Sequence, residues 1–460
     1  MTFMKQANVI QAVVRQDRCS GCGVCAGVCP GGFLTMAEAS NGDLAAQWRR
    51  GPCPANCGLC VAVCPFAKGV HDPRPLNQEI FHAQECPATH HFHEDAGHYE
   101  NAVVGYSEVH RAESASGGLL TWTLEQLLAQ GEVDRVAIVV CEPDQTNGHR
   151  FRFMEAQTTE ELRGAAGSVY HPVEISSIIR QITRQSEVRW AITGVPCLCA
   201  AIRNAMQRIP AVGRAVRHVF GLACGMYQNR YYTDLLCLAS GISPKEAVSI
   251  RYRLKAKAGL ASNYLFHATR QDGRGGRTLE YSGLPCYLGS HAFFRVNACN
   301  YCKDVFAEAA DACFMDAWLP DYQANRRGTS IVLVRSGAVK RLLMSTAVAS
   351  VPQLEPLGIE RVVASQAGPV RRKRELLGMR LGQSHDPVSG QPFSVADRLT
   401  WWIQRRVQRR SKRVWAHEAD APDYRAFMRS VWDLRLLIMV DLIFRRTVSR
   451  YIHPPKAAKV

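Results

Sequence analysis

Eight cysteines in two short runs constrain this chain more than any other feature. The first run reads Cys19-x2-Cys22-x2-Cys25-x3-Cys29-Pro30, and the second reads Cys53-x3-Cys57-x2-Cys60-x3-Cys64-Pro65. A cubane of four irons needs four thiolates. A tight loop places three of them on three corners while its backbone amides point at the sulfurs. Gly21, Gly23 and Gly58 permit such loops. The competing assignment is zinc, which also takes C-x-x-C pairs in tetrahedral sites. Zinc needs two such pairs, not two sets of four that each end in Cys-Pro, so two 4Fe-4S clusters are the better expectation.

The spacing resembles that of bacterial two-cluster ferredoxins, with one departure at the first gap of the second run. In such domains the fourth cysteine of each run crosses to the other cluster. That would assign Cys19, Cys22, Cys25 and Cys64 to one cluster and Cys53, Cys57, Cys60 and Cys29 to the other. The extra residue, at Ala55 or Asn56, lies between Cys53 and Cys57, so any distortion of the second cluster falls on Cys53.

Eighteen cysteines among 460 residues are too sparse for a disulfide scaffold. Met1 to Val14 lacks the charged start and apolar core of a secretion signal, so a reducing, cytoplasmic setting is expected. The nearest candidate for a membrane span, Leu434 to Phe444, is too short and contains Arg435 and Asp441. The apolar fraction of 47% and the charged fraction of 21% exclude a mainly disordered chain.

Four regions separate by composition. Residues 1–66 form the ferredoxin-like domain, and residues 67–98, rich in His and Pro, are expected to be a linker in a surface loop. Residues 99–350 alternate β-rich and helical runs, which predicts an α/β domain. Its strands are expected at Asn101 to Tyr106, Val133 to Cys141, Trp190 to Thr193, Val216 to Leu222 and Ser330 to Arg335. Its helices are expected at Leu119 to Gln130, Leu198 to Gln207 and Arg230 to Ser240. Residues 351–460 are a basic, mainly helical extension. No G-x-G-x-x-G follows a strand, so the α/β domain is not of the Rossmann type, and Gly273-Arg-Gly-Gly276 reads as a turn. The fold class is thus mixed α+β and α/β.

A second set of cysteines sits in distinctive contexts: Gly194-Val-Pro-Cys197, Gly221-Leu-Ala-Cys224 and Cys299-Asn-Tyr-Cys302-Lys-Asp304. Together with Ser114-Ala-Ser-Gly-Gly118 before a helix, Gly167-Ser-Val-Tyr170 and Ala310-Asp311, these resemble the family of beta subunits of coenzyme F-420 (deazaflavin) hydrogenases and dehydrogenases. That family includes related formate dehydrogenase components and plant 7-hydroxymethyl chlorophyll reductase. The resemblance covers about residues 1–350. It implies FAD in the central domain and a third 4Fe-4S cluster on Cys197, Cys224, Cys299 and Cys302. It also implies flavin contacts from Ser116, Gly117, Gly118, Ser168, Tyr170 and Asp304. Free amides ahead of the helix at Leu119 would suit a pyrophosphate or the flavin edge, although an ordinary N-cap explains the same serines. Where relatives often carry a glycine-aspartate step after the Asp311 position, this chain has Cys313-Phe-Met-Asp316, and Asp316 is the candidate to fill that role. Cys86, Cys141, Cys199, Cys237, Cys286 and Cys313 are left over and read as core or surface residues.

Beyond about Ser365 the chain holds 20 Lys plus Arg against 8 Asp plus Glu, an excess of 12 out of the total net charge of +16. The stretches Arg371-Arg-Lys-Arg374 and Trp401 to Trp415 mix basic and aromatic residues at near-helical spacing. Nucleic-acid binding is disfavoured, because no recognised motif accompanies the charge. A basic amphipathic helix on an anionic membrane or an acidic partner fits better, and a plain solvated face stays open.

The expected function is that of an iron-sulfur flavoprotein oxidoreductase, relaying electrons between clusters and FAD to act on a small-molecule substrate or a deazaflavin-like cofactor. Its partner would be a soluble donor or acceptor such as ferredoxin, or a redox subunit. The alternative is an electron-transfer protein without a substrate of its own. No catalytic residue is singled out.

Overall fold

The computed structural model describes residues 8–51, 53–54, 56–82, 90–142, 150–345, 350–385, 390, 392–417 and 422–452, with side chains as far as residue 443. Ala55 and Cys86 lie outside the described residues.

Glycine shapes the first cysteine loop. Gly21 and Gly23 take φ of 75° and 82°, left-handed values that cost a side-chain-bearing residue dearly. Cys25 and Cys60 then fall in the short helices Val24–Gly27 and Leu59–Ala62. Between the loops lies an antiparallel hairpin, β1 (Leu34–Glu38) and β2 (Leu44–Trp48). Leu34, Met36, Leu44 and Ala46 are buried, in keeping with the two-residue period of a half-buried strand.

Residues 67–98 do not form the expected surface loop. His71, Asn77 and Phe81 are buried, and the segment contains a helix, Arg74–Phe81, and a hairpin of β3 (His91–His93) and β4 (Gly97–Tyr99). The polar residues that read as solvent-facing have distant partners. Asn77 donates through Nδ2 to the Glu308 carbonyl at 2.7 Å, and its Oδ1 accepts the His98 amide at 2.7 Å. Composition carries no trace of a partner more than two hundred residues away.

The body is a mixed sheet. Its strands are β5 (Asn101–Tyr106), β6 (Arg135–Cys141), β7 (Phe151–Ala156), β8 (Trp190–Gly194) and β9 (Val216–Leu222). The chain then builds a separate antiparallel sheet from β10 (Ala247–Lys255), β11 (Tyr264–Arg270) and β12 (Leu279–Glu280). It returns with β13 (Ala312–Asp316), β14 (Ser330–Val334) and β15 (Gln353–Pro356). The order is β15-β5-β14-β13-β9-β8-β6-β7, parallel from β13 through β9 and β8 to β6 and antiparallel outside that centre. The expected strands and helices of the central domain fall where the sequence placed them, within a few residues at either end. The Gly273 turn has φ of 78°.

Alternate residues of the sheet enter two cores. Val103, Phe220 and Val332 pack with Trp122 and Leu127 on one face. Ala102, Val104, Ile192, Val219, Ile331 and Leu333 face the other way and share a continuous core with Val24, Ala26 and Phe66 of the cysteine loops. The N-terminal module is therefore packed on helices Ser176–Arg184 and Pro196–Arg208, which lie between it and the sheet. A Cβ on Gly27 would lie 2.7 Å from the Ile179 Cβ, so this glycine sets how closely helix Val24–Gly27 approaches helix Ser176–Arg184. The Ile175 amide also donates to the Cys22 carbonyl at 3.0 Å.

The basic extension is helical, as expected, but its inner sides are not solvated. Helices Val395–His417 and Trp432–Ile452 bury Ile403, Val407, Trp415, Leu434 and Ile438 in a third core with Tyr231, Phe293 and Phe294. Lys412 reaches the turn of the β1–β2 hairpin and gives Asp43 a buried ion pair, with Nζ 2.7 and 2.6 Å from its two carboxylate oxygens. Among the described residues no helix is long and apolar enough to cross a membrane.

Candidate iron-sulfur centres

The N-terminal thiols lie close enough to raise one another's pKa, and Cys60 acts on Cys25 and Cys64 as well as being near Cys57 and Cys29. After burial itself, Cys22, Cys19, Cys64 and Cys60 push the Cys25 thiol up, and Cys22 and Cys19 act likewise on Cys64. Cys53, raised first by its partial burial, is next affected by Cys57, Cys60 and Cys29. Cys57, Cys60 and Cys29 thus lie near Cys53. Backbone amides of Ala46 and Gly21 point at Cys19, that of Val24 at Cys22, and those of Val9 and Val61 at Cys60. Such N–H···S bonds tune the potential of a thiolate-bound cluster.

The second set of cysteines converges from three segments. Cys197 enters at the start of helix Pro196–Arg208, just past the C-terminal end of β8, and Cys224 lies two residues past β9. Cys299 and Cys302 come from the 3₁₀ turn Asn297–Tyr301 and the residue after it. Because β8 and β9 are parallel neighbours, their C-terminal ends open on the same side. All four cysteines line one cavity of about 520 Å³, counting its mouth, whose exposed lining is mostly apolar. Cys22 of the first run lines the same cavity.

Electrostatics gives a test of what the cavity suits. Burial first, and then Cys302, Cys22, Cys224 and Cys299, drive the Cys197 thiol far above its ordinary range. Burial takes Cys224 up to about 12 and Cys22 to about 11. Thiols crowded together out of water ionise only against a strong positive centre, which is what a bound metal cluster supplies. Among the described residues no three His, Cys, Asp or Glu side chains draw close enough to hold a single ion. A zinc ion needs its sulfurs about 2.3 Å from one point. Four cysteines around a void of this kind fit a cluster with volume of its own.

Two residues at this site escaped the sequence reading. Lys373 is buried at 2% exposure, with Nζ 3.5 Å from the Cys302 sulfur and 2.5 Å from the Asp304 carbonyl. His71, from the supposed linker, places Nδ1 3.4 Å from the same sulfur. Burial raises the Cys302 thiol, yet Lys373 and His71 outweigh it and bring the pKa down to about 7. The neighbouring Arg374 pairs with Glu308, a fully buried carboxylate whose pKa burial has raised to about 7. The run Arg371 to Arg374 thus delivers side chains to the interior. Nothing local to this run signals it, because Cys302 and Asp304 reach Lys373 only through the fold.

The residues expected to contact the flavin lie at several places in the fold. The Ser116 hydroxyl donates to the Thr329 carbonyl at 2.9 Å, and the Gly117 amide donates to Ser330 Oγ at 2.9 Å, so both are engaged internally. Gly118, at φ of 79°, turns the chain into helix Leu119–Ala129. Asp304 is fully buried beside the third group of cysteines, where both carboxylate oxygens accept the Glu308 amide at 3.3 Å. Tyr170 packs edge-on against Tyr252, 5.6 Å between ring centres, and burial raises its hydroxyl pKa; Ser168 is half-buried near it in the chain. Asp316 accepts two bonds from Arg253 at 2.9 and 2.7 Å. A separate shallow pocket of about 330 Å³, counting the open solvent at its mouth, adjoins the Ser114 loop at Ala115 and is lined by Lys255, Arg326, Tyr264, Trp318 and Asp316. Of the leftover cysteines, Cys199, Cys237, Cys286 and Cys313 are buried and Cys141 is half-buried.

Residues 18–68 match the model of a 4Fe-4S dicluster domain, which makes the chain an iron-sulfur protein of the electron-transfer class. Residues 102–180 match the N-terminal model, and residues 188–358 the C-terminal model, of the coenzyme F420 hydrogenase/dehydrogenase beta subunit. The chain belongs to that family. It is 22% identical over 312 residues to a subunit of the F(420)H(2) dehydrogenase of Methanosarcina mazei, an alignment covering 68% of this chain and 79% of the relative. Among solved structures it is similar to a chain of the F420-reducing [NiFe] hydrogenase complex from Methanosarcina barkeri, with 18% identity and a TM-score of 0.46 over 65% of this chain and 99% of that one.

Proposed function

We propose that this chain is the electron-relaying component of an F420-dependent oxidoreductase, with a third 4Fe-4S cluster held by Cys197, Cys224, Cys299 and Cys302. One observation carries this reading: Cys22 of the dicluster module lines the cavity that those four cysteines surround. Iron-sulfur clusters supply one-electron steps, and a flavin, when bound, joins one-electron to two-electron chemistry. The chain's own residues do the positioning. Gly23 and Gly27 seat the module against helix Ser176–Arg184 and the residues that lead into it, and the Cys22 carbonyl is fixed by the Ile175 amide. Val195, Val296 and Leu198 line the gap with apolar groups.

FAD belongs to the same proposal. The pocket beside the Ser114 loop supports it, because its lining brings the cations Lys255 and Arg326, which donate to backbone carbonyls in this structure, together with the aromatic Tyr264 and Trp318. Arg111 adds a buried Nη2 with no hydrogen-bond partner among the described residues, from a side chain whose Nε donates to the carbonyl of the pocket residue Gly328. By likeness to the Methanosarcina mazei protein, the organic substrate would be reduced F420. A second reading, a protein that carries electrons without a substrate of its own, draws on the internal engagement of Ser116 and Gly117.

The test is anaerobic purification followed by flavin quantification and assay with F420 and a viologen dye. Retained FAD and F420 turnover by the isolated chain support the oxidoreductase. Intact clusters with neither flavin nor turnover leave the substrate-free relay.

A further inference from the structure

The outward side of the two long C-terminal helices carries a pattern that electron relay does not use. Opposite the buried Ile403, Val407 and Trp415, helix Val395–His417 exposes Trp402, Arg406, Arg409 and Arg413 at intervals of three and four residues. Opposite the buried Leu434 and Ile438, helix Trp432–Ile452 exposes Trp432, Leu436, Met439 and Val440 to 63%, 51%, 57% and 48%. The Arg406 guanidinium sits over the Trp402 ring, 5.7 Å from its centre. Bonds from Thr400 to Asp441 and from Arg410 to Asp433 tie the helices side by side in antiparallel sense. Their inner sides enter the same core, so both outer sides face away from the body.

Isolated apolar residues on a surface need no explanation, but a contiguous apolar row marks an interaction site. A row of large apolar residues beside a row of guanidinia is the pattern of helices lying in the plane of a membrane interface. We propose that this face docks on an anionic lipid surface. Trp432, Leu436 and Met439 enter the boundary between headgroups and acyl chains, and Arg406, Arg409 and Arg413 meet the lipid phosphates. Charge selects this occupant. Arg406, Arg409 and Arg413 stand exposed in one row of this face, so a second copy of the chain would set like charges against like, whereas acidic headgroups complement them. The proposal places the protein on a membrane without a span.

The test uses the full holoprotein in flotation with vesicles of equal parts phosphatidylglycerol and phosphatidylcholine, and with phosphatidylcholine alone. The protein should float with the anionic vesicles roughly tenfold more than with the neutral ones and be released by high salt. Two variants, Trp432→Ser with Leu436→Ser and Arg406→Glu with Arg413→Glu, should each lose this binding with unchanged iron content. Equal behaviour on both vesicle types, or variants that float like the parent, overturns the proposal. Light scattering that shows a dimer abolished by Leu436→Ser assigns the face to a second copy, and capture of an acidic protein abolished by that change assigns it to a protein partner; either overturns it as well.

Discussion

The cysteines of residues 19–64 and those lining the central cavity reach similar surroundings by different routes. Within each N-terminal run, loops of two and three residues bring the cysteines near one another by chain geometry. Cys197, Cys224 and the Cys299–Cys302 pair come from three segments, and they meet only after β8 and β9 have paired and the 3₁₀ turn before β13 has docked. The first kind of site is specified locally and needs little beyond glycine in its loops. The second depends on the whole sheet, and it also recruits His71 and Lys373 from outside the family-matched segments.

The largest effect expected from this contrast follows Cys197→Ser. Loss of one ligand should empty the central site and leave the N-terminal module loaded, a fall of about four irons per chain. Iron and sulfide analysis together with EPR of the reduced protein checks it. A simultaneous loss of N-terminal iron would show that the two regions fold as one cooperative unit.

A smaller effect is expected at Lys373. Its ammonium lies against the Cys302 sulfur in a buried site, so Lys373→Met removes a positive charge that favours the reduced, more negative cluster. Coulomb's law at an effective dielectric constant of about 20 and a separation of about 6 Å gives a downward shift on the order of 100 mV for the central site alone. EPR-monitored redox titration reads this, and Lys373→Arg should recover most of it. A change confined to the N-terminal signals would contradict the placement of Lys373.

The same contrast explains what could be read from the residues. Strand β9 and helix Arg230–Ser240 end where their patterns end, because Val216 to Leu222 and the apolar spacing of the helix are local signals. The cysteine runs were legible for the same reason. Lys373 was not, since a Lys within Arg371-Arg-Lys-Arg374 reads as solvated until Asp304 and Cys302 are seen to surround it. His71 was hidden in a stretch whose His and Pro content suggests a loop, and its partner Cys302 lies 231 residues away. Ser116 and Gly117 show another limit of local reading. Their motif suggests open donors, whereas Thr329 and Ser330 on and beside β14 already take them.

The central claim is that four dispersed cysteines hold a cluster beside the dicluster module. Counting iron and acid-labile sulfide in the anaerobically purified chain tests it most directly. The account predicts about twelve of each per chain, and a count of about eight would contradict it.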